Sequence, residues 1–312
     1  MKCSPRVSII LPTYNRAELL PNAIRSVLSQ DFPDWELIVW DDGSNDNTRD
    51  VVLSFSDDRI VYNFALNAGM SYALNQAVKK ARGEFIAFLD DDDQWTDEKL
   101  FEQIKILEKY DEIGLVFGDF KNINLATGDE GFGFEQSYLA MNGLVTEPIS
   151  GDSCLIKGNF LKCLGKDNFI AFDSVMIRKE VLDSLGEFNQ DLRNGQDFEM
   201  WWRFGLVGNK PAFTKKCVLT RIKYPNSLSG RSLLSIDNYL KALDSCCQLA
   251  SNHGQDEAIK FLKPAYRNAW QNKIILHGKQ GEKKKAWNAF LQSLRYGFRL
   301  GSFKLLVKAL ME

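Results

Sequence analysis

The chain has 312 residues, of which 45% are hydrophobic and 26% charged, a composition typical of a soluble globular protein. Its 39 basic and 41 acidic residues give a net charge of −2, which argues against a nucleic-acid partner. With six cysteines in no C-x-x-C pair, two histidines and no apolar run of about 20 residues, we expect a cytoplasmic protein without a histidine-rich zinc site, secretion signal or membrane span.

Strand and helix patterns alternate through the first 120 residues. Predicted strands are Val7–Leu11, Glu36–Trp40, Arg59–Tyr62, Glu84–Leu89 and Leu115–Phe120. Predicted helices are 17–30, Thr48–Phe55, Met70–Ala81 and Thr96–Tyr110. This alternation indicates an α/β fold with βαβ units, right-handed crossovers and a mainly parallel central sheet flanked by helices.

The second half of the chain changes character twice. Residues 121–170 are rich in glycine and aromatic side chains, and we expect loops and short pieces there, lining a binding cleft. Ordered elements are then predicted at Ala171–Arg178, Lys179–Leu185, Asp197–Phe204 and Val218–Ile222. Beyond residue 228 only helical periodicity is found. We therefore predict a catalytic domain at 1–228 and a helical C-terminal extension at 229–312.

Acidic residues follow two of the predicted strands, as Asp41-Asp42-Gly43-Ser44 and as Asp90–Asp93. Ligands of open α/β sheets bind beyond the carboxyl ends of the strands, and crowded carboxylates there are costly without a cation. Mg²⁺ or Mn²⁺ would relieve this cost and hold a diphosphate. The alternative is a capped turn for the first cluster and a solvated, helix-capping loop for the second.

A third acidic segment, Gly195-Gln196-Asp197-Phe198-Glu199, begins a predicted helix. Acidic residues at such a position complement the helix dipole, and this accounts for Glu199. The sequence contains no G-x-G-x-x-G, P-loop, G-x-S-x-G or H-E-x-x-H pattern. Their absence argues against dinucleotide, P-loop nucleotide, α/β-hydrolase and zinc-protease chemistry.

Taken together, an ordered set of segments resembles the family 2 glycosyltransferases of the GT-A type, over about residues 5–230. The segments are Val7–Arg16 (VSIILPTYNR), Ser26–Gln30 (SVLSQ), Trp35–Ser44 (WELIVWDDGS), Asn67-Ala68-Gly69 with Asn75, and Gly83–Asp93 (GEFIAFLDDDD). Each piece alone is weak evidence, and the ordered set is specific. The resemblance implies a Rossmann-like, nucleotide-binding GT-A domain.

The resemblance also implies roles for single residues. Asp92 would bind the metal, Mn²⁺ or Mg²⁺, and Asp197 would be the catalytic base. Asp42 would hydrogen-bond the nucleotide base, and Asp90 would lie near the ribose. The full implied nucleotide-binding set is Pro12, Thr13, Tyr14, Arg16, Asp42, Asn67, Gly69, Asp90 and Asp91.

The chain departs from the family pattern at three places. It has Ala73-Leu74-Asn75 where the family often has Ala-Arg-Asn, and Gln196-Asp197 where the family often has Glu-Asp. It has Tyr224 where the family often has a histidine that assists the metal or the diphosphate. Neighbouring Lys223 is the alternative group for neutralising the departing phosphate.

The implied activity is inverting transfer of a hexosyl or N-acetylhexosaminyl group from a nucleotide-diphosphate donor, a UDP-sugar, to the hydroxyl of a saccharide or lipid-linked acceptor. Such activity serves cell-surface polysaccharide or glycolipid synthesis, at the inner face of the plasma membrane. The alternative is a non-catalytic sugar-nucleotide-binding or scaffold protein of the same fold. A pyrophosphorylase-like nucleotidyltransferase would need a glycine-rich basic loop, which Pro12–Arg16 is not.

The last predicted helices are basic and amphipathic. A row of large apolar residues is interspersed with the basic residues Lys283, Lys284, Lys285, Arg295, Arg299, Lys304 and Lys308. Such a segment can lie on an anionic membrane near a lipid-linked acceptor. Alternatively its apolar face packs on the catalytic domain and its charges are solvated.

Overall fold

The computed structural model describes residues 4–224, 232–297 and 300–311. The chain forms two compact units. The first comprises Met1–Gly158, Phe169–Arg193 and Gly208–Pro225, and the second comprises Asn159–Asn168, Asn194–Val207 and Asn226–Glu312. The predicted boundary near residue 228 lies outside the described residues, so the division into 1–228 and 229–312 stays a prediction.

The first unit is built on one sheet, to which eleven strands of the described residues contribute. They are β1 (Val7–Thr13), β2 (Trp35–Asp41), β3 (Ile60–Phe64), β4 (Phe85–Phe88), β5 (Gln94–Trp95), β6 (Ile113–Asn124), β7 (Glu130–Phe132), β8 (Val145–Ser150), β9 (Ser153–Gly158), β10 (Met176–Arg178) and β11 (Lys210–Lys223). The spatial order is β3-β2-β1-β4-β10-β6-β11-β9-β8, with β5 beside β11 and β7 beside β6.

The helices follow in chain order. They are α1 (Leu20–Leu28), α2 (Thr48–Leu53), α3 (Met70–Lys80), α4 (Lys99–Lys109), α5 (Gly133–Gln136), α6 (Tyr138–Met141), α7 (Phe160–Leu164), α8 (Lys179–Leu185), α9 (Gln196–Leu206), α10 (Leu233–Asn252), α11 (Asp256–Ile259), α12 (Lys263–Lys279), α13 (Lys283–Leu294) and α14 (Leu300–Met311). Short 3₁₀ turns lie at Phe172–Ser174 and Lys260–Leu262.

The predicted α/β fold is confirmed, and its parallel character is clearest in one half of the sheet. Strands β3, β2, β1 and β4 run parallel to one another, as βαβ units require. Beyond β4 the sheet is mixed, because β10 runs antiparallel to both β4 and β6 while β6 and β11 are parallel. Consequently β1, β2 and β4 all end at the same edge, where the acidic segments begin.

Residues 121–170 are more ordered than the sequence predicted. Strand β6 continues to Asn124, and β8 and β9 form an antiparallel hairpin. Strand β9 pairs with β11, opposing Leu155 to Ala212 and burying Cys154, Leu155 and Ile156. Strand β9 is ordered by its pairing with β11, about 60 residues away in the chain. A local hydrophobic pattern cannot predict such a pairing.

A buried charge network fixes the strands that lead to the acidic edge. Glu36 on β2 is 3% exposed. It accepts a hydrogen bond from Ser8 Oγ on β1 at 2.6 Å, and others from the backbone N and the guanidinium of Arg82 at 2.6–2.8 Å. Ser8 Oγ in turn accepts from the backbone N of Gly83 at 2.8 Å. These bonds hold the start of β4 beside β1. They therefore fix the register of the two strands at the ends opposite the acidic edge.

The second unit is helical. Helix α12 packs on α13 and α14 around a small apolar core of Ile274, Ala286, Ala289, Phe290, Leu306 and Ala309. Ser232 caps α10 by accepting a hydrogen bond from Ser235 N at 3.0 Å. Among the helices in the described part of the chain, none is long and apolar enough to span a bilayer.

Candidate active site

Two loops at the carboxyl ends of β1 and β2 are joined by hydrogen bonds. Asn15 adopts φ +52°, a conformation that asparagine tolerates better than most residues. Its backbone N donates to Ser44 Oγ, and its side-chain oxygen accepts from Asn45 N, both at 2.8 Å. The backbone N of Ala17 donates to Asp46 Oδ2 at 3.1 Å. The two loops therefore present one continuous polar edge.

Asp42 shapes the next loop along this edge. It is 5% exposed, and its two carboxylate oxygens accept hydrogen bonds from the backbone N of Ala68 and of Gly69, each at 2.9 Å. The segment with the predicted nucleotide-binding residues Asn67 and Gly69 is thus held in place by Asp42. Gly43 beside it has φ +87°.

Thr13 and Arg16 connect the end of β1 to the acidic segment after β4. The hydroxyl of Thr13 donates to Asp91 Oδ2 at 2.7 Å. Arg16 Nη1 lies 3.5 Å from Asp92 Oδ2, and both side chains remain partly exposed. Burial raises the pKa of the Asp91 carboxyl to about 7, although the Thr13 hydrogen bond opposes this shift. Four of the predicted site residues are therefore brought together in the first unit.

The remaining predicted residues of this edge differ in exposure. Pro12 is buried within β1, and the Tyr14 side chain is 45% exposed directly after it. An exposed aromatic ring beside a polar edge offers a surface on which a planar base can stack. The Tyr14 ring is thus accessible from solvent, and its role in nucleotide binding stays a prediction.

Three further carboxyls form a buried cluster at the base of the acidic segment. Oxygen atoms of Asp90, Asp93 and Asp173 lie within 4.8 Å of one another. Asp173 Oδ1 accepts from the backbone N of Asp90 at 2.5 Å, and Asp93 Oδ1 accepts from Ile222 N at 3.1 Å. Arg221 Nε lies 3.5 Å from Asp93 Oδ2.

If all three carboxyls were ionised, this cluster would carry more negative charge than its neighbours compensate. Burial raises the pKa of Asp90 and of Asp93 well above the usual range, and the charge of Asp173 raises both further. Among the residues that the structure describes, Asp90 Oδ1 and Asp173 Oδ2 are buried and have no hydrogen-bond partner. Carboxylate oxygens with unused lone pairs are the ligands that Mg²⁺ and Mn²⁺ prefer, so the donor set fits a hard divalent cation.

Asp173 is a site residue that the sequence reasoning missed. It lies in the 3₁₀ turn before β10, and its backbone is held from α4 and β5. Trp95 Nε1 donates to Asp173 O at 2.9 Å, and Gln103 Nε2 donates to Ser174 O at 2.6 Å. Fully buried Lys99 donates to Gln103 Oε1 at 2.5 Å. The available signal was a single aspartate inside the apolar stretch 169–177, which is costly unless the carboxyl has a role.

Asp92, the predicted metal ligand, is not a member of the buried trio. Its side chain is 21% exposed and pairs with Arg16. Tyr224 is close to the same edge, since its pKa is raised by burial and then by the charges of Asp92 and Asp93. The residue in the place of the family histidine therefore lies within electrostatic reach of the acidic segment.

Asp197 belongs to the second unit, near the N-terminus of α9. Gly195 before it has φ +80°, and the side-chain amide of Asn168 donates to Asp197 Oδ2 at 3.4 Å. Two residues on, Glu199 is buried, pairs with Arg203 at 2.8 Å and accepts from Ser245 Oγ at 3.2 Å. Glu199 therefore has a structural partner on its own helix, and Asp197 differs from it in lacking a guanidinium at i+4.

The sequence matches the family described as Glycosyl transferase family 2 over residues 8–186, more than half of the chain. The chain belongs to this family. A curated relative is UDP-Glc:alpha-D-GlcNAc-diphosphoundecaprenol beta-1,3-glucosyltransferase WfgD of Escherichia coli, 46% identical over 119 residues, which cover 38% of this chain and 47% of the relative. The chain spans between 36% and 60% of the lengths of the first curated relatives it matches.

Solved structures show that this family 2 protein has a GT-A fold. S. aureus TarS 1–349 in complex with UDP-GlcNAc has a TM-score of 0.70 at 20% identity, covering 93% of this chain and 81% of that chain. Mannosyltransferase PcManGT from Pyrobaculum calidifontis, in complex with GDP-Man and Mn²⁺, has a TM-score of 0.61 at 17% identity, covering 98% and 79%. The predicted fold and family are both confirmed.

Proposed function

We propose that the protein is a glycosyltransferase that moves a sugar from a UDP-sugar onto the hydroxyl of an acceptor. The observation that carries the proposal is the acidic edge, where Asp91 and Asp92 meet Thr13 and Arg16 at the carboxyl ends of neighbouring parallel strands. Membership of family 2 supports it, because the matched residues 8–186 include β4, all of β1 after Val7, and the segments that follow these two strands.

In this proposal the acidic segment binds the diphosphate through Mn²⁺ or Mg²⁺, with Asp92 as the direct ligand. The cation supplies Lewis-acid stabilisation of the charge that develops on the leaving diphosphate. Thr13 holds Asp91 in place, while Arg16 balances the charge of Asp92 and offers a guanidinium to a phosphate oxygen. The base and ribose lie along Pro12, Thr13, Tyr14 and the Asn67–Gly69 loop.

Asp197 is proposed as the general base. Its carboxylate accepts the proton of the acceptor hydroxyl while the oxygen attacks the anomeric carbon. Because attack comes from the face opposite the leaving diphosphate, the configuration of the sugar inverts. The side-chain amide of Asn168 donates to Asp197 Oδ2 and helps to orient the carboxylate.

The donor and acceptor classes are drawn from the relatives. The name of WfgD specifies UDP-Glc and a diphosphoundecaprenol-linked acceptor, and TarS was crystallised with UDP-GlcNAc. For this chain we infer a hexosyl or N-acetylhexosaminyl donor on UDP, and a saccharide or lipid-linked acceptor of cell-surface polysaccharide or glycolipid synthesis. A lipid-linked acceptor would bring the enzyme to the inner face of the plasma membrane.

Donor hydrolysis with and without Mn²⁺ tests the proposal. We expect metal-dependent release of UDP from UDP-Glc or UDP-GlcNAc in the absence of acceptor. Binding of UDP-sugar without any release, with or without acceptor, would indicate a sugar-nucleotide-binding scaffold instead. Donor binding is measured in parallel by thermal shift, since a bound ligand raises the unfolding temperature by mass action.

Asp197→Asn tests the base. The substitution preserves shape and removes the carboxylate that takes the proton. We expect transfer to fall by a factor on the order of 10²–10⁴, while UDP-sugar binding stays unchanged. Glu199→Gln is the matched control on the same helix, and it should affect stability rather than the rate of transfer. A transfer rate in Asp197→Asn equal to that of the unsubstituted enzyme would remove Asp197 from the mechanism.

A further inference from the structure

Helices α13 and α14 carry an apolar surface that faces solvent. On α13, Trp287 and Leu291 are 46% and 45% exposed. On α14, Leu300, Phe303 and Val307 are 62%, 47% and 40% exposed. These five residues are here named the α13–α14 face. Single exposed apolar side chains are common on protein surfaces, but a group of them is typical of a surface that binds a protein, a ligand or a membrane.

The spacing of these residues places them on one side of each helix. Trp287 and Leu291 are four positions apart, and Leu300, Phe303 and Val307 are separated by three and four. Neighbouring sides of the same helices are already used: Ala286, Phe290, Leu306 and Ala309 are buried in the core that they share with α12. The α13–α14 face is therefore an exposed apolar surface that borders the core of the unit.

Ring contacts join the two helices at this surface. The ring of Trp287 lies 5.8 Å from that of Phe290, which lies 6.2 Å from the ring of Phe303. At the other end of the pair, Lys283 Nζ donates to the backbone O of Leu310 at 2.7 Å. The α13–α14 face is thus one fixed surface within the second unit.

The charges around this face have one sign. Residues 283–311 contain seven lysines and arginines and no aspartate or glutamate. The remaining 283 residues carry 32 basic and 41 acidic residues. Lys284 and Arg295 lie on the Trp287–Leu291 stripe, and Lys304 adjoins Phe303 on α14. An anionic surface attracts this segment and repels the net-negative remainder of the chain.

We propose that the α13–α14 face binds the surface of a membrane rich in anionic lipid, with Trp287, Leu291, Leu300, Phe303 and Val307 inserted between the headgroups. Aromatic and aliphatic side chains supply the insertion, and the surrounding lysines contact lipid phosphates. The inference deepens the proposed function, because a bilayer surface is where a lipid-linked acceptor is found. Vesicle binding nevertheless tests it without any sugar transfer.

The test is co-sedimentation of the full chain with vesicles of phosphatidylcholine alone, and with vesicles in which about one third is phosphatidylglycerol. We expect binding to the second kind only, with loss of binding as salt is raised, since the Debye length shortens. Lys284→Gln with Lys304→Gln should weaken binding about thirty-fold, because each lysine contributes about 1 kcal/mol near such a surface. Trp287→Ser with Leu291→Ser should weaken it more than about tenfold.

Matched controls separate surface loss from misfolding. Lys241→Gln with Lys263→Gln removes two exposed lysines from the same unit, and Leu53→Ser with Phe101→Ser removes two exposed apolar side chains from the first unit. Both controls should bind as the unsubstituted chain does. Release of UDP in vesicle-free solution should be the same in all four variants, so a failed glycosyltransferase assay and a failed membrane assay are distinguishable.

Three results would overturn the proposal. One is absence of binding to the anionic vesicles, and another is binding that the two α13–α14 variants leave unchanged. The third is a stable dimer in solution that Trp287→Ser with Leu291→Ser converts to a monomer, without vesicle binding. In that case a second copy of the chain would be the partner of this face.

Discussion

Asp92 and Asp173 lie in different surroundings, and in the proposed mechanism this difference distinguishes the metal ligand, Asp92, from a supporting carboxyl, Asp173. Asp92 is partly exposed beside Arg16, while Asp173 is fully buried and is held through its backbone by Trp95. A cation at this site would have to contact both its carboxylate ligand and the incoming diphosphate, which favours an exposed carboxylate as the ligand. The buried Asp173 carboxyl accepts a hydrogen bond from the backbone N of Asp90, which helps to orient the acidic segment.

The two roles predict different sizes of effect. Loss of an outer partner of a metal site typically weakens metal binding about 10–100-fold, and we expect this for Asp173→Asn. Asp92→Asn should weaken it by more than about 100-fold, since a direct ligand is lost. The measurement is the Mn²⁺ concentration that gives half-maximal UDP release. If Asp173→Asn proves the more damaging variant, the buried trio rather than Asp92 holds the metal.

Lys99 gives a prediction on stability and pH. Its ammonium group is fully buried, and burial lowers the pKa to about 7, only partly offset by the charge of Asp173. Below pH 7 the folded protein must bury a charge. Between about pH 7 and 10.5 the unfolded chain binds a proton that the folded chain does not, so this group makes stability rise with pH.

Lys99→Met removes this titration and isolates its contribution. The variant should be more stable than the unsubstituted chain near pH 7. Loss of the hydrogen bond from Lys99 to Gln103 should offset part of this gain. The gain should shrink by about 1.4 kcal/mol per pH unit as the pH is raised from about 7. Urea unfolding at several pH values without added metal measures it, and a pH-independent difference between the two proteins would contradict the assignment.

At the scale of elements, the loop after β2 depends on Gly43. With φ +87°, an added Cβ would lie 2.7 Å from the backbone N of Asn67. Gly128, in the turn before β7, also has positive φ, at +75°, but an added Cβ there meets nothing within 4 Å. Substitution of Gly128 therefore introduces backbone strain alone, whereas substitution of Gly43 introduces backbone strain and a steric collision.

Gly43→Ala should lower the free energy of unfolding by more than Gly128→Ala does. The cost of a positive φ for an alanine is about 1–2 kcal/mol and applies to both variants. The collision with the Asn67 loop is added only at Gly43, and it should also weaken UDP-sugar binding. Chemical unfolding and thermal shift with UDP-sugar measure the two effects. Equal costs at both positions would mean that the Asn67 loop moves aside freely.

Much of the half of the sheet that contains β3, β2, β1 and β4 could be predicted because its signals are local. Strand β4 is apolar and strands β1 and β2 are mostly apolar, and each is followed within two residues by the polar residues that form the edge. Their parallel pairing then follows from the alternation with α1 and α3, so Thr13 and Asp91 could be expected near one another before their hydrogen bond was seen.

The parts that could not be predicted depend on contacts between distant residues. Asp173 accepts a hydrogen bond from Asp90, which is 83 positions earlier in the chain. The apolar stretch around Asp173 does not indicate that these two residues are in contact. Strand β9 is ordered by β11, and Arg221 reaches Asp93 only because β11 lies beside β6 and β5. Helical periodicity did predict the C-terminal helices, but it could not tell their inner apolar side from their exposed one.

At the scale of the whole molecule, charge is divided unevenly along a nearly neutral chain. The seven cations of 283–311 are opposed by an excess of nine acidic residues elsewhere. Although the net charge is only −2, residues 283–311 are strongly positive and the rest of the chain is negative. Association of the 283–311 segment with anionic surfaces should therefore depend on ionic strength.

The α13–α14 face has a kinetic consequence once the enzyme is on a bilayer. An enzyme held there meets its acceptor by lateral diffusion in two dimensions, so its rate should follow the number of acceptor molecules per lipid rather than per litre. Adding inert phosphatidylglycerol at constant acceptor should then slow turnover, while adding acceptor-free buffer should not. Assays on vesicles of graded acceptor density would reveal this surface dilution, and a rate that follows bulk concentration alone would show catalysis from free solution.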